Sequence, residues 1–87
     1  MPMPNAIVIL NYNGVQHLQT YLPSVLEYSP NWDVVVADNA STDDSRSFIE
    51  NNFPQIKVIQ LEQNYGFAGG YNRALGQLKD YYEHYFI

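Results

Sequence analysis

The 87-residue chain has no cysteine, which rules out both a disulfide framework and a thiolate metal site. Cationic residues are also scarce. Four Lys and Arg stand against nine Asp and Glu, for a formal net charge of −5. That balance excludes the basic face that nucleic-acid binding needs. An anionic ligand would have to be held by backbone N–H groups, helix N-termini or a metal ion. No stretch approaches the roughly 18 apolar residues of a transmembrane helix. Met1-Pro-Met-Pro4 also lacks the charged start and apolar core of a secretion signal. A chain with no transmembrane segment in the cytoplasm is the expectation. His17 and His84 are far apart and have no carboxylates at ligand spacing, so both read as structural or surface residues. Asn39-Ala-Ser41 matches a glycosylation sequon only by chance if nothing exports the chain.

Hydrophobic residues make up 46% of the chain, enough for the core of one small domain. The organising stretch is Val34-Val-Val-Ala-Asp38-Asn-Ala-Ser-Thr-Asp43-Asp44-Ser45. Four apolar residues without alternation indicate a strand covered on both faces, ending on the carboxylate of Asp38. Open α/β sheets bind their ligands at such carboxyl ends. Ser41 or Thr42 can cap the next helix, with Asp43 and Asp44 favourably placed in its first turn. On this stretch alone, a turn followed by a helix cap explains Asp38 equally well.

In chain order, Ala6–Leu10 reads as the first strand and Asn11-Tyr-Asn-Gly14 as the loop after it. Leu18, Leu22, Val25 and Leu26 then recur at helical spacing. Pro23 interrupts them, and Thr20 is a candidate cap for a second short helix. After the Asp38 turn, a helix is expected over Thr42–Phe53, with Phe48, Ile49 and Phe53 inward and Pro54 as its stop. Lys57–Leu61 suits an edge strand, Glu62–Gly70 a glycine-rich loop, and Tyr71 to about Glu83 a last helix. His84–Ile87 reads as the opening of a fourth strand. Alternating strands and helices imply a three-layer α/β fold around a mostly parallel sheet of order 3-2-1-4 with right-handed crossovers. Gly66-Phe-Ala-Gly69-Gly70 is neither a dinucleotide fingerprint nor a P-loop, though it could bring backbone close to a ligand.

Asn11-Tyr-Asn-Gly14, Asp38-Asn-Ala-Ser-Thr-Asp43 and Asn64-Tyr-Gly-Phe-Ala-Gly-Gly-Tyr-Asn72 occur in that order, each after a strand. The combination resembles the N-terminal half of the family 2 glycosyltransferases, in the rhamnosyltransferase-like branch, over nearly the whole chain. The resemblance implies a GT-A fold and transfer of a sugar from a nucleoside-diphosphate sugar to an acceptor hydroxyl. It implies that Tyr12 lies against the donor base and that Asp38 hydrogen-bonds it. The remaining nucleotide-sugar contacts would come from Asn11, Asn13, Asn39, Asn64, Gly66 and Asn72. Many relatives carry an arginine just before that last asparagine. Here Tyr71 stands there, with Arg73 on the other side. The family's metal-binding Asp-x-Asp, or its Asn-x-Asp variant, which would hold Mg²⁺ or Mn²⁺, follows the fourth strand and has no counterpart in these 87 residues, and no catalytic residue is assigned.

The expectation is therefore a single nucleotide-sugar-binding unit, residues 1–87, that is half of a GT-A domain in polysaccharide biosynthesis, cut off at the fourth strand and inactive alone. A homo-oligomer formed through an exposed C-terminal edge goes with it. Two alternatives stay open: a stand-alone, non-catalytic nucleotide-binding α/β module, and a structural unit whose sheet edge pairs with a partner.

Overall fold

The computed structural model describes residues 5–82 and 84–86. Four strands and three helices alternate: β1 (Asn5–Asn11), α1 (Val15–Tyr28), β2 (Asp33–Asp38), α2 (Ser45–Asn52), β3 (Lys57–Gln60), α3 (Gly66–Leu78) and β4 (His84–Phe86). The strands form one parallel sheet in the order β3-β2-β1-β4, as the element pattern implies.

Side chains alternate across β2, and this divides the core. Val34 and Val36 face α1 and α2, where Leu18, Leu22, Ile49 and Ile56 complete one buried cluster. Val35 and Ala37 face α3, packing with Ala6, Val8, Ile59, Leu61, Ala74, Leu78 and Tyr82. Because both faces of β2 are covered, its apolar run shows no polar alternation.

The limits of all three helices differ from the sequence expectations, and packing or local hydrogen bonds explain the differences. α1 is one helix with Pro23 inside it, and Thr20 Oγ1 donates to the Gln16 carbonyl 2.9 Å away instead of capping a second helix. Burial of Leu18 and Leu22 on the sheet outweighs the single helical bond that an exposed Pro23 forfeits. α2 begins at Ser45, not Thr42, because Ser41 and Thr42 are taken up by bonds to Asp38 and Asn13. α3 begins at Gly66, five residues before Tyr71, so the glycine-rich stretch is the first turns of a helix and not a loop. Gly70 permits close packing. A Cβ on Gly70 would lie 2.7 Å from Leu10 Cδ1 and 3.1 Å from Asn39 Nδ2. At its other end α3 stops at Leu78, short of the expected Glu83, because the Leu78 carbonyl accepts the Tyr81 N–H at 2.9 Å in a tighter turn and the Tyr85 hydroxyl at 2.7 Å. Glu83 itself and Ile87, the expected end of the fourth strand, lie outside the described residues.

Candidate functional site

The parallel register sets the site. Asn11 is paired with Asp38 across β1 and β2, and Asp38 with Gln60 across β2 and β3. Three polar side chains therefore form a row at the carboxyl ends of three adjacent strands. Asp38 is 1% exposed and is the hub of this row. Its Oδ1 accepts from Asn11 Nδ2 at 3.0 Å and Ser41 Oγ at 2.7 Å. Its Oδ2 accepts from the Ser41 N–H at 2.9 Å and Gln60 Nε2 at 3.1 Å. Those four bonds fill the acceptor positions of an ionised carboxylate.

The loops above the row are tied to one another by asparagines. Asn13 donates from its N–H to Ser41 Oγ at 2.9 Å, and its Oδ1 accepts the Thr42 and Asp43 N–H groups at 2.7 and 3.2 Å. Asn39 donates from Nδ2 to Asn64 Oδ1 at 3.0 Å and to the Gly66 carbonyl at 3.1 Å, and its Oδ1 accepts the Tyr65 N–H at 3.0 Å. Three residues here lie in the left-handed region: Asn13 (φ 51°) and Ala40 (φ 64°) in the first two loops, and Gly66 (φ 77°) where the third meets α3. The short polar side chain of asparagine and the bare Cα of glycine suit that region. Alanine has neither advantage, so Ala40 stores strain of about 1–2 kcal/mol.

Asp43 ties the first loop to the start of α2. Its carboxylate accepts the Val15 and Ser45 N–H groups at 3.2 and 2.9 Å and the Ser45 hydroxyl. Burial pushes this carboxyl up, but the bonds from Ser45 and Val15 outweigh it and hold the group below the ordinary carboxylate range.

Seven of the eight residues named from the sequence are thus gathered at one end of the sheet. Tyr12 is 49% exposed in the first of these loops, its ring half open to solvent. Asn72 is separate: it is exposed on α3 and makes no hydrogen bond to the cluster among the described residues. Arg73 lies over the Tyr65 ring, 3.7 Å from its centroid. Tyr71 is occupied structurally, its hydroxyl oxygen accepting the Leu10 N–H at 3.3 Å. Gln60 went unnoticed in the sequence, although its place at the end of an edge strand, two elements after Asp38, was a usable signal. It lines a cleft of about 270 Å³ with Leu61, Glu62, Tyr65 and Arg73.

No cluster of three or more His, Cys, Asp or Glu side chains suited to a metal ion occurs among the described residues. No helix among them is long and apolar enough to cross a membrane. No buried side-chain nitrogen or oxygen among them lacks a partner, so the loops are ordered by their own bonds.

The model of glycosyl transferase family 2 matches residues 6–83 of this chain. TuaG of Bacillus subtilis (strain 168), a glycosyltransferase assigned to teichuronic acid biosynthesis, is 31% identical over 81 residues, which are 88% of this chain and 32% of TuaG. An N-acetylglucosaminyl-diphospho-decaprenol L-rhamnosyltransferase of Mycobacterium tuberculosis (strain ATCC 25618 / H37Rv) is 29% identical over 73 residues, 83% of this chain and 24% of that protein. The chain thus spans about a third or less of the curated relatives it matches. Among solved structures, S. aureus TarS 1-349 in complex with UDP-GlcNAc superposes with a TM-score of 0.71 at 31% identity, covering 86% of this chain and 23% of that one. The mannosyltransferase PcManGT of Pyrobaculum calidifontis, in complex with GDP-Man and Mn²⁺, gives a TM-score of 0.68 at 24% identity, covering 88% of this chain and 26% of that one. At that identity the second likeness speaks for the fold alone.

Proposed function

We propose, from the premise that the chain belongs to glycosyl transferase family 2, that residues 1–87 supply the nucleotide-binding half of an enzyme that moves a sugar from a nucleoside-diphosphate sugar to an acceptor hydroxyl. The observation that carries this reading is the row Asn11–Asp38–Gln60, with three interlocked polar loops above it at the carboxyl ends of the strands. UDP-GlcNAc bound to TarS supports a nucleotide-sugar as the ligand class. In this reading the exposed Tyr12 ring takes the base by stacking. Asn11, Asn13, Asp38, Asn39, Asn64 and Gly66 hold the walls of the site in place. Asn72 reaches the nucleotide only at the rim.

Because Asp38 is saturated, it organises the loops first and meets a base only if one of its donors yields. No catalytic residue is assigned within the chain. Mn²⁺ accompanies the donor in PcManGT, and a divalent cation belongs to the reaction proposed for the whole protein. The described residues offer no ligand cluster that fits one, so none of them is given that role.

Polysaccharide biosynthesis is the setting that TuaG supports, and a cytoplasmic location is proposed beside it without support from that relative. Self-association through the β4 edge belongs to the same reading. Among the described residues β4 has a strand neighbour only in β1, and an open edge invites pairing. Light scattering at micromolar concentration checks it, and a monomer would remove it.

Calorimetric titration with UDP tests the binding reading. Millimolar affinity, about −4 kcal/mol, is expected for a site reading only part of its ligand. Tyr12→Ala should weaken binding by about 1–3 kcal/mol, the worth of one base stack, while leaving stability within about 0.5 kcal/mol. Equal affinity in the wild type and Tyr12→Ala would remove the tyrosine from the site.

A further inference from the structure

The row Asn11–Asp38–Gln60 ends in an arginine. Arg46, in the first turn of α2, donates from Nη1 to Gln60 Oε1 at 2.9 Å. Gln60 Nε2 donates to Asp38 Oδ2 and to the Leu61 carbonyl, both at 3.1 Å. Chemistry fixes which way this carboxamide faces. A guanidinium has only donors and an ionised carboxylate only acceptors. The amide oxygen must therefore face Arg46 and the NH₂ must face Asp38. The opposite setting would oppose like groups at both ends.

With its acceptor positions full, Asp38 can receive a ligand N–H only if one present donor leaves. Asn11 is 4% exposed, and Ser41 holds Asp38 through backbone and hydroxyl together. Gln60 is exposed, lines the cleft at the sheet edge, and has a second acceptor in the Leu61 carbonyl. It is the donor able to move aside.

We infer that Gln60 is a specificity-determining residue, held by Arg46 with its NH₂ beside the Asp38 acceptor, and that this pair selects a base bearing a ring N–H next to a carbonyl. Uracil, thymine and guanine have that edge; cytosine and adenine do not. The inference rests on reading the Asp38 loops as a nucleotide site. The ring N–H takes the place of Gln60 on Asp38 Oδ2, and the displaced NH₂ donates to the neighbouring carbonyl. Cytosine and adenine present the reverse: a ring nitrogen lone pair against the carboxylate and an exocyclic amine against the NH₂. A free carboxamide could turn over and accept from that amine, but the Arg46 bond to Oε1 opposes the turn. Arg46 is a positioning residue that never touches the base.

The test is an NMR titration of the chain with UDP, CDP and inorganic pyrophosphate, in the wild type and in Arg46→Met, Arg46→Lys and Gln60→Met. Wild type is expected to prefer UDP over CDP by at least about tenfold, the worth of a hydrogen bond to a charged group. Arg46→Met and Gln60→Met should each narrow that ratio severalfold without changing pyrophosphate affinity, and Arg46→Lys, which keeps a donor, should preserve it. A merely structural role would weaken UDP and CDP together and leave the ratio intact. UDP preference in the wild type with an unchanged ratio in both methionine variants would overturn this inference alone. Equal wild-type affinity for UDP and CDP would overturn it too. A wild type that binds neither nucleotide would overturn the nucleotide-site reading, and this inference with it.

Discussion

Replacing Gly70 with alanine puts a new Cβ 2.7 Å from Leu10 Cδ1, 3.1 Å from Asn39 Nδ2 and 3.2 Å from Leu10 Cδ2. Leu10 sits on β1 and Asn39 ties the second and third loops together, so neither can retreat without cost. Overpacking of this kind costs about 1–3 kcal/mol. Loss of one Asn39 bond adds about 1 kcal/mol. Against these stands the gain of about 1 kcal/mol that alanine brings to a helix interior. The net expectation is a loss of about 1–3 kcal/mol. Gly76, in the same helix, is an internal control, since a Cβ there meets nothing within 4 Å. Gly76→Ala should therefore gain about 0.5–1 kcal/mol. Urea unfolding followed by circular dichroism compares the two variants directly. If Gly70→Ala proved as stable as Gly76→Ala, the claim that α3 needs this glycine for close packing would fail.

Two further predictions concern pH. Asp43 has a folded pKa below its unfolded value, so its contribution to stability is complete above about pH 4 and is lost as pH falls through the folded value. Asp43→Asn should accordingly be less stable than wild type at neutral pH, with the gap closing in acid, and a pH-independent gap would refute the assignment. Tyr82 is 8% exposed and donates its hydroxyl hydrogen to Asp33 Oδ2 at 2.7 Å; burial first, and then that bond and the charge of Asp33, push its phenol up to about 12. Its stabilising bond is therefore complete below about pH 10 and is lost between that value and the folded one. Tyr82→Phe should cost about 1–2 kcal/mol at pH 7 and flatten the alkaline loss of stability.

The sheet was legible in the sequence because unalternated apolar runs such as Val34–Ala37 have few other homes, and the order 3-2-1-4 holds. The loops were legible as polar clusters after successive strands. Their internal wiring was not, since spacing does not reveal that Ser41 would bond Asp38 instead of capping α2. Glycine content misled at α3: Gly66-Phe-Ala-Gly69-Gly70 reads as loop by propensity, yet contact with Leu10 and Asn39 makes Gly70 a helix residue. Pro23 misled the other way, because the burial of Leu22 holds α1 together across it. Strand position alone marked Gln60 and nothing marked Arg46, as the hydrogen-bonded chain that joins them to Asp38 exists only once register and helix placement are known.

The central claim is that a nucleotide binds at the carboxyl ends of the strands, over Asp38. Backbone amide shifts on titration with UDP test it most directly. The sheet offers a competing location, a cleft of about 280 Å³ at its amino ends bounded by Leu26, Trp32 and Gln55. The largest shifts should fall on Tyr12, Asn13, Asn39, Ser41, Gln60 and Gly66, with Trp32 and Gln55 unmoved. Shifts confined to Trp32 and Gln55, or none at all at millimolar UDP, would contradict the account.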